Sequence, residues 1–271
     1  MPDMTSADAA DPVLAERRGA VLLLTLNRPD RLNAWTNALE ARYFALLDAA
    51  EADPDVRAIV VTGAGRGFCA GADMVDLQQA AVTDVDAADA VRPRPRHFPM
   101  ALRKPLIAAV NGAAAGLGFV EMLYCDLRFC APDAKLTTSF ARRGLIAEYG
   151  VAWLLPRLVG PAAALDLLLS ARVVLGEEAL RLGLVDRVVP RESVVAEAVA
   201  YAQELTACCS PASMATIKAQ LRADAERPFA DAVADAERLM VASFARPDVK
   251  EGVDSYLERR PPVFPPLPAR S

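Results

Sequence analysis

Arg66–Asp73 reads R-G-F-C-A-G-A-D, between an apolar run, Ala58–Thr62 (A-I-V-V-T), and a helix-like segment that begins at Met74. The apolar run has the length and β-branched content of a buried strand. A strand that ends in glycine and small residues just before a helix leaves backbone N–H groups unpaired at the turn. Such groups can face a ligand oxygen, because no bulky side chain screens them. One turn of this kind is a weak signal, since most are simply tight turns.

Lys104–Asp126, K-P-L-I-A-A-V-N-G-A-A-A-G-L-G-F-V-E-M-L-Y-C-D, repeats the logic. An apolar strand (Leu106–Val110) runs into a turn at Asn111–Gly112, and Gly116 and Gly118 lead into an apolar helix. Two such turns can bring two N–H donors onto one oxygen, an arrangement that stabilises an enolate or a tetrahedral oxyanion. On these residues the chain resembles the crotonase (enoyl-CoA hydratase/isomerase) superfamily. The matching pieces are N-R-P-D-R-L-N-A at Asn27–Ala34, F-C-A-G-A-D at Phe68–Asp73 and K-P-L-I-A-A-V-N-G with its glycines. A-x-x-L-G-L-V-D-R-V-V at Ala179–Val189 and P-D-V-K-E-G-V at Pro247–Val253 complete the set, in family order and spacing.

The resemblance implies an α/β fold: a crotonase-like spiral of ββα units whose strands form two near-perpendicular sheets, with a C-terminal helical domain. On that pattern residues 1–12 are a disordered lead-in, 13–191 the spiral core, 192–260 a helical oligomerisation domain and 261–271 an extended, proline-bound tail. The family's helical domain packs against neighbours, which implies a homotrimer or a dimer of trimers. The ligand implied is an acyl-CoA thioester, with no cofactor beyond the coenzyme A that the substrate carries.

Composition agrees with this class. A chain of 271 residues, 54% hydrophobic, can bury a large core. A net charge of −5 with scattered Lys and Arg argues against nucleic acid as a partner. No apolar run approaches the roughly 18 residues needed to span a membrane. The acidic, polar N-terminus is unlike a signal peptide. Five cysteines, odd in number and mostly in apolar context, point to a reduced, cytoplasmic protein. His97 is the single histidine, so no metal site is expected. Cys69 in the first turn reads as a packed small residue.

Periodicity and turn signals predict a strand at Ala20–Leu26 and a helix from an Asn33 N-cap to about Ala50. Strands follow at Leu127–Cys130 and Lys135–Thr138, with helices at Trp153–Gly160 and Ala162–Ser170. The chain then turns to helices alone: Val194–Ala207, Pro211–Arg222, Phe229–Ala245 and Asp248–Arg259. Gln79–Pro99, ending R-P-R-P-R-H-F-P, cannot be one helix and corresponds to the family's cover over the acyl end of the pocket, or to a solvated loop.

Carried over residue by residue, the resemblance makes the backbone N–H groups of Ala72 and Leu117 an oxyanion hole, each at a helix start where the dipole adds to the hydrogen bond. Ala70, Gly71, Gly116, Val120 and Phe140 fall around the substrate, and Arg28 and Arg31 near the nucleotide end of coenzyme A. Asp73 fits a helix N-terminus better than a catalyst. The acid/base residues depart from the hydratase pattern. Val120 and Phe140 stand where a hydratase carries its two glutamates. Glu121 is one place beyond the first, and one residue along a helix turns a side chain by about 100°. Glu148, in G-L-I-A-E-Y-G, stands where the superfamily's enoyl-CoA and dienoyl-CoA isomerases carry a carboxylate. It is read either as a catalytic acid/base or as a residue favourable at a helix start. Three functions stay open: an isomerase using Glu148, a hydratase using Glu121 and Glu148, and an acyl-CoA binding protein without chemistry. Phe140 suggests an apolar pocket wall, hence an apolar or aromatic acyl group.

Overall fold

The computed structural model describes residues 11–74, 78 and 94–268. The lead-in expected at 1–12 lies outside these residues as far as residue 10, and the cover expected at Gln79–Pro99 as far as residue 93.

β1 (Val13–Arg18) and β2 (Val21–Leu26) pair antiparallel along their whole length, from Val13 opposite Leu26 to Arg18 opposite Val21. β3 (Ala58–Gly63) then joins β2 in parallel, and β5 (Leu106–Val110), β7 (Leu127–Cys130) and β9 (Arg187–Val188) extend the sheet in the order β1-β2-β3-β5-β7-β9. β3 and β5 are buried at every position. Parallel strands covered on both faces need such unbroken apolar runs. A second sheet contains β4 (Gly67–Cys69), β6 (Ala113–Ala115) and β8 (Leu136–Thr137), also parallel. The chain therefore alternates: β3, β5 and β7 lie in the large sheet, and the strand after each lies in the small one. That alternation is the expected spiral of ββα units.

The described helices are α1 (Asn37–Ala52), α2 (Leu117–Tyr124), α3 (Val151–Val159), α4 (Pro161–Ser170), α5 (Gly176–Arg181), α6 (Val194–Cys208), α7 (Pro211–Asp224), α8 (Phe229–Phe244) and α9 (Pro247–Glu258). Proline at the first turn of α4, α7 and α9 costs no hydrogen bond, and Ser210 Oγ caps α7 by accepting from the Ser213 N–H. The first helix after residue 192, α6, packs against β2, β3, β5 and β7, so it covers the large sheet. Among the described residues no helix is long and apolar enough to cross a membrane.

Two expectations of local structure are corrected. The helix after the first motif is capped by Thr36, whose Oγ1 accepts from the Leu39 N–H at 3.2 Å, and not by Asn33. Asn33 is fully buried in the left-handed region (φ 57°), which asparagine tolerates better than most residues. Its Oδ1 accepts from the Arg28 N–H (2.8 Å), and its Nδ2 donates to the carbonyls of Ala64 (3.0 Å) and Gly67 (2.9 Å). Asn111 grips the same loop from the other side, donating to the carbonyls of Gly63 (2.8 Å) and Gly65 (3.0 Å). The second correction is at the N-terminus, where V-L-A-E-R-R, not expected as a strand, is β1.

The two asparagines satisfy the backbone between β3 and β4 and so fix where β4 starts. Asn33→Ala removes three hydrogen bonds of a buried side chain and places alanine in the left-handed region; a loss of about 2–4 kcal/mol is expected. Urea denaturation of both proteins checks this, and a loss below about 1 kcal/mol would remove the stapling role.

Candidate active site

β4 and β6 bring the two glycine turns together. Gly67 pairs with Ala113, and Cys69 with Ala114. At Gly118, in the first turn of α2, an added Cβ would stand 2.2 Å from the Cys69 carbonyl oxygen, so only glycine allows the helix to lie this close. At Gly71 (φ 96°) a Cβ would stand 2.7 Å from the Ala115 carbonyl oxygen and 3.5 Å from the Leu117 nitrogen. The turn that holds Ala72 is thus in direct backbone contact with the turn that holds Leu117.

Both N–H groups are left over by the local pairing. Trp35 bridges to the first turn by donating to the Gly71 carbonyl (2.7 Å) and accepting from the Asp73 N–H (3.0 Å). This pattern turns the N–H of the intervening residue, Ala72, to the opposite side. Leu117 is the first residue of α2, where no intrahelical acceptor exists. Neither N–H has an acceptor among the described residues. Both face a setting with the positive end of α2, which favours negative charge.

A cavity of about 340 Å³ opens over these turns. Ala70, Gly71, Ala72, Asp73, Gly116 and Leu117 form one side of it, Phe140 and Glu148 another, and Arg31 also lines it. Nine of the residues singled out in the sequence therefore meet here. Arg28, Val120 and Glu121 are not among its lining residues. The Arg28 guanidinium is turned to Asp73 (3.0 Å) and to the Ala34 carbonyl. Val120, in the hydratase glutamate's place, is fully buried in the core.

Glu121 is buried on α2 with both carboxyl oxygens unpartnered among the described residues. Burial, aided by the nearby Glu40 carboxylate, pushes its pKa well above the ordinary range, against the Arg96 charge. Burial therefore favours its neutral form, and the rotation of one residue along α2 is the reason it does not line the cavity.

Glu148 sits on a loop whose backbone is fixed at both ends. Its carbonyl accepts from the Val151 N–H (3.1 Å) at the start of α3, and the Tyr124 hydroxyl donates to the next carbonyl, that of Tyr149 (2.8 Å). Burial raises its carboxyl pKa, while the positive charge of Arg96 opposes the rise. Arg96 is itself held by Glu40 (2.6 Å), which also accepts from the Trp35 indole N–H (2.9 Å). Its guanidinium lies over the Tyr149 ring, 4.8 Å from the centroid.

Ala34, Met74, Ser139 and Leu145 also line the cavity and were not singled out. Arg143 is exposed and stands on the wall as well; Arg142 turns away to the Ser170 carbonyl. Arg96 left no signal in the sequence, because its partner Glu40 is 56 residues distant. Cys69 is buried, and burial pushes its thiol up to about 12, so it packs and does not react.

Two unpaired N–H groups and a carboxyl with a raised pKa on one cavity can hold a developing oxyanion while a proton moves. The family described as enoyl-CoA hydratase/isomerase matches residues 16–266. The 1,2-epoxyphenylacetyl-CoA isomerase of Escherichia coli (strain K12) is 35% identical over 258 residues, covering 93% of this chain and 97% of its own. A crystal structure of a probable enoyl-CoA hydratase/isomerase from Mycobacterium abscessus superposes with a TM-score of 0.86 at 30% identity, over 94% of this chain and 99% of the other. That of the enoyl-CoA hydratase EchA12_1 from Mycobacterium marinum is 50% identical, with a TM-score of 0.69 over 80% of this chain and all (100%) of the other. With the spiral of ββα units, the paired glycine turns and a match over nearly the whole sequence, this chain belongs to the enoyl-CoA hydratase/isomerase family.

Proposed function

We propose that the protein binds an acyl-CoA thioester, holds its carbonyl oxygen on the N–H groups of Ala72 and Leu117, and shifts a double bond with Glu148 as the acid/base. The observation that carries this reading is that Glu148 shares one cavity with both N–H groups. The other carboxylate on that cavity, Asp73, is ion-paired with Arg28. In the step, ionised Glu148 takes a proton from the carbon between carbonyl and double bond. The electron pair moves onto the thioester oxygen as a dienolate, and the protonated Glu148 returns the same proton two carbons away. No atom is gained or lost, and no redox partner enters. A carboxyl whose pKa is raised toward the working pH suits both halves of this exchange.

Arg31 and Arg143 on the cavity wall are suited to phosphates of coenzyme A. Phe140, 4% exposed, gives the cavity an apolar wall, which supports an apolar or aromatic acyl group. Hydration is the second reading, favoured by the name of the Mycobacterium marinum relative. It calls for a second acid, and Glu121, next to the hydratase position, is buried and does not line the cavity. For assembly we propose a homotrimer or dimer of trimers, supported by apolar side chains exposed on α8 and α9: Phe229 84%, Phe244 67%, Tyr256 82% and Leu257 72%.

Purified protein is expected to convert 3-enoyl-CoA to 2-enoyl-CoA, with Glu148→Gln slower by about 10²-fold or more. Hydration of 2-enoyl-CoA would replace this reading with the hydratase, and binding without turnover would replace it with an acyl-CoA binding protein. Because the base must be ionised, kcat/KM should fall as pH drops through the raised pKa of Glu148. The acid limb therefore lies above the ordinary carboxyl value of 4.5, and a limb at or below that value would deny the raised pKa.

Glu121→Gln should keep the activity and gain stability with rising pH. In the unfolded chain Glu121 ionises above about 4.5, whereas in the fold it stays neutral well beyond that value. The wild type thus loses stability as pH climbs from 4.5 toward the folded pKa, and the glutamine variant does not. Melting temperatures at pH 4 and pH 8 measure the difference; equal gaps at both would refute it. Light scattering should return a mass of three or six chains, and Phe244→Glu should lower it.

A further inference from the structure

A second cavity, about 680 Å³, adjoins the first, and Tyr149 is the one described residue that lines both. Met100, Tyr124, Trp153 and Leu154 give it apolar and aromatic walls. The two arginines on its wall are already ion-paired, Arg94 with Asp48 (2.9 Å) and Arg96 with Glu40 (2.6 Å). Such a space takes an apolar chain or an aryl group in preference to an anionic one.

Tyr149 is built to stay between the two spaces. Its backbone is in the left-handed region (φ 55°), and the Tyr124 hydroxyl anchors its carbonyl. The ring is stacked under the Arg96 guanidinium, 4.8 Å from its centroid. Arg96 in turn is tied through Glu40 to the buried Trp35 indole. An aromatic ring on an exposed loop would ordinarily exchange rotamers freely; here a chain of three contacts runs from the ring to the core. Tyr149 lines the same cavity as Glu148, so an acyl group whose reacting carbons lie at Glu148 has this ring on its wall.

We infer that Tyr149, braced by Arg96, is the partition that sets the length of the acyl group. Acyl chains that end at the ring fit the cavity of Ala72, Leu117 and Glu148, and longer ones need the space behind it. The inference rests on the acyl-CoA reading above and names the residue that selects among such substrates.

Saturated butyryl-CoA and octanoyl-CoA, which cannot isomerise, test it by calorimetric titration of the wild type, Tyr149→Phe, Tyr149→Asn, Tyr149→Gly and Arg96→Gln. Asparagine and glycine both accept the left-handed backbone, so the loop survives the change. A methylene taken out of water is worth about fourfold in affinity. The octanoyl-to-butyryl affinity ratio should therefore rise about tenfold or more in Tyr149→Asn and Tyr149→Gly. It should also rise, by less, in Arg96→Gln, and stay within about threefold of wild type in Tyr149→Phe, which keeps the wall. An unchanged ratio in both Tyr149→Asn and Tyr149→Gly overturns the partition and leaves the acyl-CoA reading standing. A ratio in Tyr149→Phe that rises as in Tyr149→Asn also overturns it, because the hydroxyl and not the wall would then decide. An unchanged Arg96→Gln removes the brace. Failure of the wild type to bind either ester would overturn the acyl-CoA reading and this inference with it.

Discussion

The structure depends on one backbone-to-backbone contact: α2 begins against the carbonyl of Cys69, with no side chain between them. An N–H group is a short, fixed donor, so two of them from different loops can point at one atom only if the loops themselves touch. That requirement explains the composition of the site, in which Ala70, Gly71, Ala72, Gly116 and Gly118 carry almost no side chain. It explains the small sheet as well. Strands of two or three residues add little stability, but β4, β6 and β8 set the registers of the loops that follow them. Asn33 and Asn111 then saturate the backbone leading into β4, so that the loop cannot relax away from the contact.

Three carboxyl groups near this frame have different surroundings. Glu40 accepts from an arginine and an indole. Glu121 has no donor among the described residues, and burial pushes its pKa well up. Glu148 lies between these cases, partly buried and within the influence of Arg96, with its pKa raised. That intermediate condition suits the proposed role of Glu148, which is to gain and lose a proton in one cycle. Removal of the Arg96 charge would release Glu148 from its downward pull and let both carboxyls shift further up.

Much of the fold was legible because its apolar runs are bounded by strong punctuation. Leu106–Val110 lies between Pro105 and Asn111–Gly112, and both ends were read to the residue. The helices from Val194 onward begin at proline or polar caps and were placed within one or two residues. β4 (G-F-C) and β6 (A-A-A) were not read as strands because three residues are too few to show an alternating pattern, and glycine and alanine have little strand preference; pairing makes them strands. β1 is half polar at its C-terminal end, as an edge strand can be, and so lacks the apolar run that marks its neighbours. Asn33 was misread because asparagine serves equally as a cap and as a left-handed bridge, and only the third dimension distinguishes the two. The two glycine turns and Glu148 were singled out through the family resemblance, and one cavity holds them. Arg96 was not, because its partners Glu40 and Tyr149 are local to it only in space.

The spiral arrangement has a kinetic consequence. Ile59 of β3 pairs with Leu106 of β5, and Phe129 of β7 pairs with Arg187 of β9, so neighbouring strands are separated by long stretches of chain. Each turn of the spiral must be closed before its pairing repays the lost chain entropy. Ala72, Leu117 and Glu148 come from three successive stretches, on either side of β5 and beyond β8. The cavity therefore exists only once those turns are wound, and a half-folded chain has glycine-rich loops with free N–H groups but no site. On the proposed reading, competence to hold an oxyanion would then follow the winding of those turns and report that this part of the spiral has closed.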